Sequence, residues 1–147
     1  DGTSGAYLIA TGADTILSSV FSTIGGLGIT MSYIQYTKEN LKKGLEFVEL
    51  ATGKYKDAGN PDKPITFAER ALFERDLNLY HKQFIKKVAE NRNFPIQDVE
   101  KLADGSSMPG ELALKNKLID SIGDQKEARV WFAGKLEIST EDVVFCE

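Results

Sequence analysis

A long segment of regularly spaced apolar residues, from about position 66 to position 91, most constrains what this chain can fold into. Its large apolar side chains recur at steps of three or four, which places them on one face of a helix: Phe73, Leu77, Tyr80, Phe84 and Val88. Thr66 and Glu69 have the spacing of a capping box, in which two side chains satisfy backbone N–H groups at the start of a helix. The sequence therefore predicts one long helix that packs against a second layer.

Shorter segments predict strands that alternate with further helices. Positions 15–20 and 28–36 are rich in Ile, Val, Thr and Tyr and are divided by glycines, which indicates two strands or a strand and a tight bend. Charged and apolar residues alternate at 46–51, a half-buried strand pattern that leads into a polar loop at 52–64, and a final strand is expected at 136–145. Short helices are expected at 4–13, 38–44, 95–102, 110–118 and 125–134. This alternation predicts an α/β protein with helices packed on a small sheet.

Composition excludes several classes of protein. The chain has 147 residues, 41% of them hydrophobic and 27% charged, which suits a single soluble domain over residues 1–147. A net charge of −4 argues against a nucleic-acid partner, which needs a surplus of lysine and arginine. One histidine, His81, and one cysteine, Cys146, leave only carboxylates as further metal ligands, so neither a metal nor another cofactor is expected. Glycines interrupt the least charged stretch, at 15–37, so no transmembrane segment is expected.

Ser4 is the first candidate for chemistry, because it stands between small residues at the start of a predicted helix. Backbone N–H groups at a helix N-terminus can stabilise an oxyanion, and the N–H of Gly5 is the natural donor. The alternative is that Ser4 only caps the helix, since serine is a preferred capping residue. A serine nucleophile also needs a base. His81 lies within the long predicted helix, and among the lysines Lys54 and Lys56 stand out only because they open a loop where a side chain could enter a cleft.

Four blocks of sequence, read together, form a recognisable pattern. They are Ser4-Gly5-Ala6-Tyr7 with Ala13-Asp14, then Thr23-Ile24-Gly25-Gly26-Leu27-Gly28-Ile29, then Gly53-Lys54-Tyr55-Lys56-Asp57-Ala58-Gly59, and last Leu102-Ala103-Asp104-Gly105 with Gly110, Ala113 and Leu118-Ile119-Asp120-Ser121-Ile122-Gly123. They resemble the S-G-G-Y, V-G-S-I-G-V, G-x-Y-K-x-A-G and L-A-D-G signatures of the signal peptide peptidase A (protease IV) family of serine proteases, within the Clp-protease/crotonase superfamily.

The resemblance implies a fold, a reaction and a set of catalytic residues. The fold would be the C-terminal half of a crotonase/Clp-protease-like β-α spiral. Ser4 would be the nucleophile, Lys56 the general base and Gly5 an oxyanion-hole donor, in an enzyme that needs no cofactor. Substrates would be extended peptides, especially remnant signal peptides, and the family implies association with a bacterial membrane.

Three positions depart from the family pattern. Gly26 stands where the family has a serine that can orient the lysine amine, so another group, such as Thr23, Ser22 or a water molecule, would have to take that role. Ala6 and Lys117 stand where the patterns have glycine.

The match begins at the nucleophile, so the family's preceding strands, the second oxyanion donor and the membrane anchor are expected to lie in an N-terminal half outside this sequence. We therefore expect exposed apolar surface that this half or a homo-oligomer would cover, and weak activity of these residues alone. Two alternatives stay open: a phage capsid-maturation protease of the same superfamily, and a catalytically silent crotonase-like assembly module. An acyl-CoA enzyme of the crotonase branch fits the serine and lysine blocks less well.

Overall fold

The computed structural model describes residues 1–146, which form two compact units. The first unit combines Asp1–Gly28 with the part of the chain that follows from Gln83, and the second is Ile29–Lys82. Helices and short strands are both present, and the strands among the described residues all belong to the first unit. The predicted mixed α/β class is therefore confirmed.

The elements follow the chain in a fixed order. The strands are β1 (Gly2–Thr3), β2 (Leu17–Ser18), β3 (Thr23–Gly25), β4 (Ser107–Pro109) and β5 (Ser121–Ile122). The helices are α1 (Gly5–Ala10), α2 (Thr37–Lys42), α3 (Phe67–Arg92), α4 (Ile96–Leu102), α5 (Gly110–Lys115) and α6 (Gln125–Leu136), and a single 3-10 turn follows at Thr140–Asp142.

The sheet of the first unit is centred on β3. This strand pairs in parallel with β1 and antiparallel with β4, while β2 and β5 form a separate parallel pair. The register places Gly2 opposite Ile24 and Thr3 opposite Gly25. Because β1 ends at Thr3, Ser4 leaves the sheet at the end of β3.

A buried cluster in the first unit packs α1 against the remaining elements of that unit. Its fully buried members include Tyr7, Leu27, Val88, Val99 and Leu118. The hydroxyl of Tyr7 donates a buried hydrogen bond of 2.8 Å to the carbonyl oxygen of Leu118, and burial raises the pKa of Tyr7 to about 12. This bond fixes the helix that begins directly after Ser4.

Most predicted helices are confirmed to within a few residues, including the long helix and its capping box. Three predicted strands are wrong. Residues 26–36 and 45–51 have no regular secondary structure, and the alternation at 46–51 marks no buried face, because Val48 is 70% and Leu50 is 95% exposed. In place of a strand at 136–145, α6 ends at Leu136 and is followed by Glu137 with a left-handed φ of 56°, and Ser139 then caps the 3-10 turn.

Two absences hold for residues 1–146. None of their helices combines the length and the apolar character needed to cross a membrane. Their His, Cys, Asp and Glu side chains form no group of three or more that is placed to bind a metal ion.

Tyr7→Phe should lower the free energy of unfolding by about 1–2 kcal/mol, because it leaves the buried Leu118 carbonyl without its donor. Urea denaturation measures the change. Tyr80→Phe is the matched control, since Tyr80 is 64% exposed, and it should change stability by less than about 0.5 kcal/mol. Equal losses in the two variants would contradict the assigned role of the buried hydroxyl.

Candidate active site

Ser4 occupies a strained turn between a strand and a helix. Its backbone has φ 53° and ψ −124°, between the last residue of β1 and the first residue of α1. A residue with a side chain rarely adopts a positive φ, and such a conformation costs about 1–3 kcal/mol, so it persists only where the surroundings enforce it. A sharp strand-to-helix turn is also how the α/β-hydrolases, a different fold, hold a nucleophilic hydroxyl out toward substrate.

Backbone hydrogen bonds enforce this turn. The N–H of Ser4 donates to the carbonyl oxygen of Gly25 over 2.7 Å, and the Ser4 carbonyl oxygen accepts from the N–H of Leu8 over 3.0 Å. The first bond continues the pairing of β1 with β3, and the second starts the helical pattern of α1. Both sides of the serine are therefore fixed by regular structure.

The hydroxyl of Ser4 does not cap α1. The residue is exposed, and its side chain makes no capping hydrogen bond to the described residues, although it occupies the N-cap position. The interpretation of Ser4 as a simple helix cap is therefore wrong. Gly5 is the first residue of α1 and is also exposed, and the first N–H groups of a helix have no acceptor within the helix. An exposed hydroxyl and a helix-start amide thus lie at adjacent positions.

Gly26, at the position where the family pattern has serine, has a backbone angle and surroundings that favour glycine. It has a left-handed φ of 63°, and a Cβ atom added to it would lie 3.2 Å from the Ser4 nitrogen and 3.4 Å from the Thr3 Cβ. Its N–H donates to the carbonyl oxygen of Ser106 over 2.9 Å. A side chain here would press on the backbone that holds the nucleophile, so glycine suits this turn.

Thr23 is the first residue of β3 and Ser22 precedes it; both lie in the first unit and are half-buried. The N–H of Ser22 donates to the carbonyl oxygen of Ser19, and the N–H of Thr23 donates to a carboxylate oxygen of Asp1. These bonds fix the backbone of both residues. Their role in positioning a lysine stays a prediction.

Lys56 lies in the second unit, in the turn-rich loop that follows the extended segment 45–51. It is exposed, its N–H donates to the carbonyl oxygen of Gly53 over 3.0 Å, and it lines a cleft of about 570 Å³. The other lining residues are Phe47, Val48, Glu49, Leu50, Ala51, Thr52, Asp57 and Asn60. The lysine therefore belongs to a concave surface of its unit.

Sequence reasoning did not single out Lys63, which lies seven positions after Lys56 and contacts three carboxylates. The capping-box spacing of Thr66 and Glu69 was the available signal, because it placed a carboxylate at the start of α3 close to this loop. What the spacing could not show is that one oxygen of Glu69 remains free for a further partner.

Comparison with known proteins identifies the family of this chain. Residues 2–139 match peptidase family S49. The chain belongs to this family. It is 33% identical over 141 residues to a putative protease of Methanocaldococcus jannaschii, an alignment that covers 96% of this chain and 45% of that protein. It is 30% identical over 125 residues to a putative signal peptide peptidase of Enterococcus faecium, covering 85% of this chain and 36% of that protein.

A plant protein also matches this S49 chain. A chloroplastic serine protease of Arabidopsis thaliana is 28% identical over 126 residues, which is 85% of this chain and 19% of that protein. The resemblance to the signal peptide peptidase A family is therefore confirmed. The chain spans less than half the length of these three curated relatives.

Lys117 departs from the S49 pattern at a position that favours glycine. It has a φ of 59° and lies two residues after the end of α5. Its N–H donates to the Leu114 carbonyl oxygen, and the N–H of Leu118 donates to the carbonyl oxygen of Ala113. These two bonds form the Schellman arrangement, whose left-handed residue is usually glycine. The glycine that the family pattern has at this position thus has a structural reason, the left-handed φ.

Lys117→Gly should raise the free energy of unfolding by about 0.5–1 kcal/mol, because it relieves the strain of a left-handed lysine. Lys115→Gly is the matched control within α5, and it should lower stability by about 1 kcal/mol, the cost of glycine in a helix. Urea denaturation measures both values. Changes of the same sign would show that the two positions do not differ as their backbone angles imply.

Gly26→Ser should lower the free energy of unfolding by about 1–3 kcal/mol, because it combines a positive φ with crowding of the Ser4 nitrogen. Gly134→Ser in α6 is the control, since a Cβ there meets nothing within 4 Å, and it should be neutral or slightly stabilising. Thermal and urea unfolding give the comparison. A Gly26→Ser protein as stable as the parent would overturn the stated reason for glycine.

Proposed function

We propose that this chain carries the nucleophile and the general base of a serine peptidase, with Ser4 and Lys56 in those roles and the N–H of Gly5 in the oxyanion hole. The observation that carries the proposal is the strained turn at Ser4, which leaves an exposed hydroxyl without a capping role between a strand and a helix. Membership of a peptidase family and the Gly53–Gly59 block, which contains Lys56, add support.

The proposed reaction is acyl transfer through an ester of Ser4. Lys56, as the neutral amine, accepts the hydroxyl proton while the Ser4 oxygen attacks the peptide carbonyl carbon. The N–H of Gly5 donates to the oxyanion of the tetrahedral intermediate. The Lys56 ammonium then gives its proton to the leaving amine, and an acyl-enzyme remains. In the second half of the cycle, Lys56 takes a proton from water, whose oxygen attacks the ester carbonyl carbon. The ester bond to Ser4 then breaks, Lys56 returns the proton to the Ser4 oxygen, and the acid product leaves.

The proposed substrates are peptides in extended form, such as remnant signal peptides. The name of the enterococcal relative, a putative signal peptide peptidase, supports this choice. The proposed scaffold is the β-α spiral of the Clp-protease/crotonase superfamily, with association at a bacterial membrane. Large exposed apolar side chains support the expectation that a further protein surface, from another copy or from the rest of the protein, covers part of the chain: Phe21, Leu50 and Phe67 are each at least 89% exposed.

The test of this function is covalent labelling of the intact protein by a fluorophosphonate, a reagent that modifies activated serines. Ser4→Ala should abolish labelling. Lys56→Met should slow it by about 100-fold or more, the usual contribution of a general base. Lys54→Met is the matched control, because Lys54 shares the loop but its ammonium lies over the Tyr55 ring at 5.0 Å, and labelling should stay within about threefold of the parent.

Two results would contradict the proposal. Labelling that survives Ser4→Ala would place the nucleophile elsewhere, and equal effects of Lys54→Met and Lys56→Met would remove the assignment of the base. An intact protein that is folded and not labelled at all would favour the catalytically silent assembly module.

A further inference from the structure

A cluster of one lysine and three carboxylates lies beside the loop that carries Lys56. The Lys63 ammonium nitrogen lies 2.7 Å from Glu49 Oε2, 3.3 Å from Glu69 Oε1 and 3.6 Å from Asp57 Oδ2. The Lys63 side chain is 18% exposed and that of Glu69 only 5%. This partly buried network differs from the exposed ion pairs of the chain, which stabilise proteins little.

The three carboxylates come from three different segments of the second unit. Glu49 lies in the extended segment 45–51, Asp57 directly follows Lys56, and Glu69 lies in the first turn of α3. Glu49 and Asp57 also line the same cleft as Lys56. Lys63 therefore connects two residues that line the cleft, Glu49 and Asp57, to the first turn of α3.

The helix end of this connection is fixed by the capping box. The N–H and the hydroxyl of Thr66 both donate to Glu69 Oε2, at 2.8 and 2.9 Å, which leaves Oε1 for Lys63. Hydrogen bonds from Thr66 and from Lys63 lower the pKa of Glu69, and the hydrogen bond to Glu49 does most to raise the pKa of Lys63. Both groups are therefore charged at neutral pH.

Asp57 depends on the same ammonium. Its Oδ1 accepts a hydrogen bond from the Asn60 amide over 3.1 Å, but Oδ2 is buried and has no hydrogen-bond partner among the described residues. A buried carboxylate oxygen without compensation is costly. Lys63, at 3.6 Å, supplies the positive charge that faces it. Without this lysine, three carboxylates would share a small region and repel one another.

We propose that Lys63 is a positioning residue, which holds the Lys56-bearing loop and the wall of its cleft against α3. The inference rests on the proposed function, since it assigns Lys63 an effect on the reaction of Ser4 through Lys56. Lys63 itself touches no reacting atom. Displacement of a catalytic group by about 1 Å can slow a reaction by about 100-fold, so the state of this loop controls the rate.

The experiment compares three variants of the intact protein. Lys63→Met keeps the length of the side chain and removes its charge, and Lys63→Arg keeps the charge. Lys43→Met is the matched control, because Lys43 forms an equally short pair of 2.6 Å with Glu39 in the same unit, but its side chain is 60% exposed. If Lys63→Met does not fold, Glu49→Gln is used in its place, because it weakens only the shortest contact of Lys63.

Two measurements separate positioning from general stability. Hydrogen exchange of the backbone amides at 52–62 reports on the loop without any need for activity. Fluorophosphonate labelling at Ser4 gives the maximal rate constant and the reagent concentration for half-maximal rate. Lys63→Met should speed exchange at 52–62 and lower the maximal rate constant about 10-fold, with the half-maximal concentration unchanged. Lys63→Arg should restore the rate to within about threefold, and Lys43→Met should match the parent.

Each result decides a separate question. Unchanged exchange at 52–62 in Lys63→Met overturns the inference whether or not the protein is an enzyme. Faster exchange with an unchanged labelling rate, or no rescue by Lys63→Arg, overturns the positioning role and leaves the proposed function intact. A parent protein that is not labelled overturns the proposed function, and exchange then supports only the anchoring of the loop.

Discussion

The hydrogen bond from the Ser4 N–H to the Gly25 carbonyl oxygen is the interaction on which the candidate active site depends. It holds a serine at φ 53°, a conformation that the isolated chain would avoid, and so turns the end of β1 into the start of α1. The glycines at the end of β3 make the close approach possible, because a side chain at Gly26 would meet the Ser4 nitrogen. Behind the turn, Tyr7 fixes α1 to the core through Leu118. The strained backbone at Ser4 thus leaves its hydroxyl exposed.

In the second unit, the loop that carries Lys56 is held by a different kind of contact. Its loop has little regular structure, and its order comes from polar contacts that converge on the start of α3. The capping box that begins the helix also leaves one carboxylate oxygen for Lys63, so helix initiation and loop anchoring share a residue, Glu69. The role proposed for Lys56 therefore depends on a network of polar contacts that also stabilises the start of α3.

The sequence predicts those parts of the structure that depend on local signals. It does not predict the parts that depend on contacts between segments of the folded chain. The long helix was predicted to within a residue at each end, because apolar spacing and the Thr66–Glu69 capping box are local signals. The strand expected at 46–51 failed because alternation does not supply a partner strand. The sequence alone left Ser4 as either a helix cap or a nucleophile, because the backbone angles that separate the two depend on the hydrogen bond to Gly25 in β3. Local chemistry could not choose Lys56 among the lysines, and only the family resemblance did so. The contacts of Lys63 with its three carboxylates could not be predicted, because the loop that holds them has no regular pattern that would place these nearby residues against one another.

The most direct test of the account is a crystal structure of the intact protein after reaction with a fluorophosphonate. We expect continuous electron density from the Ser4 oxygen to phosphorus, one phosphoryl oxygen within hydrogen-bonding distance of the Gly5 nitrogen, and the Lys56 amine within about 3 Å of the Ser4 oxygen. Unmodified Ser4 beside a labelled residue elsewhere, or an ordered Lys56 far from the adduct, would contradict the assignment of nucleophile and base.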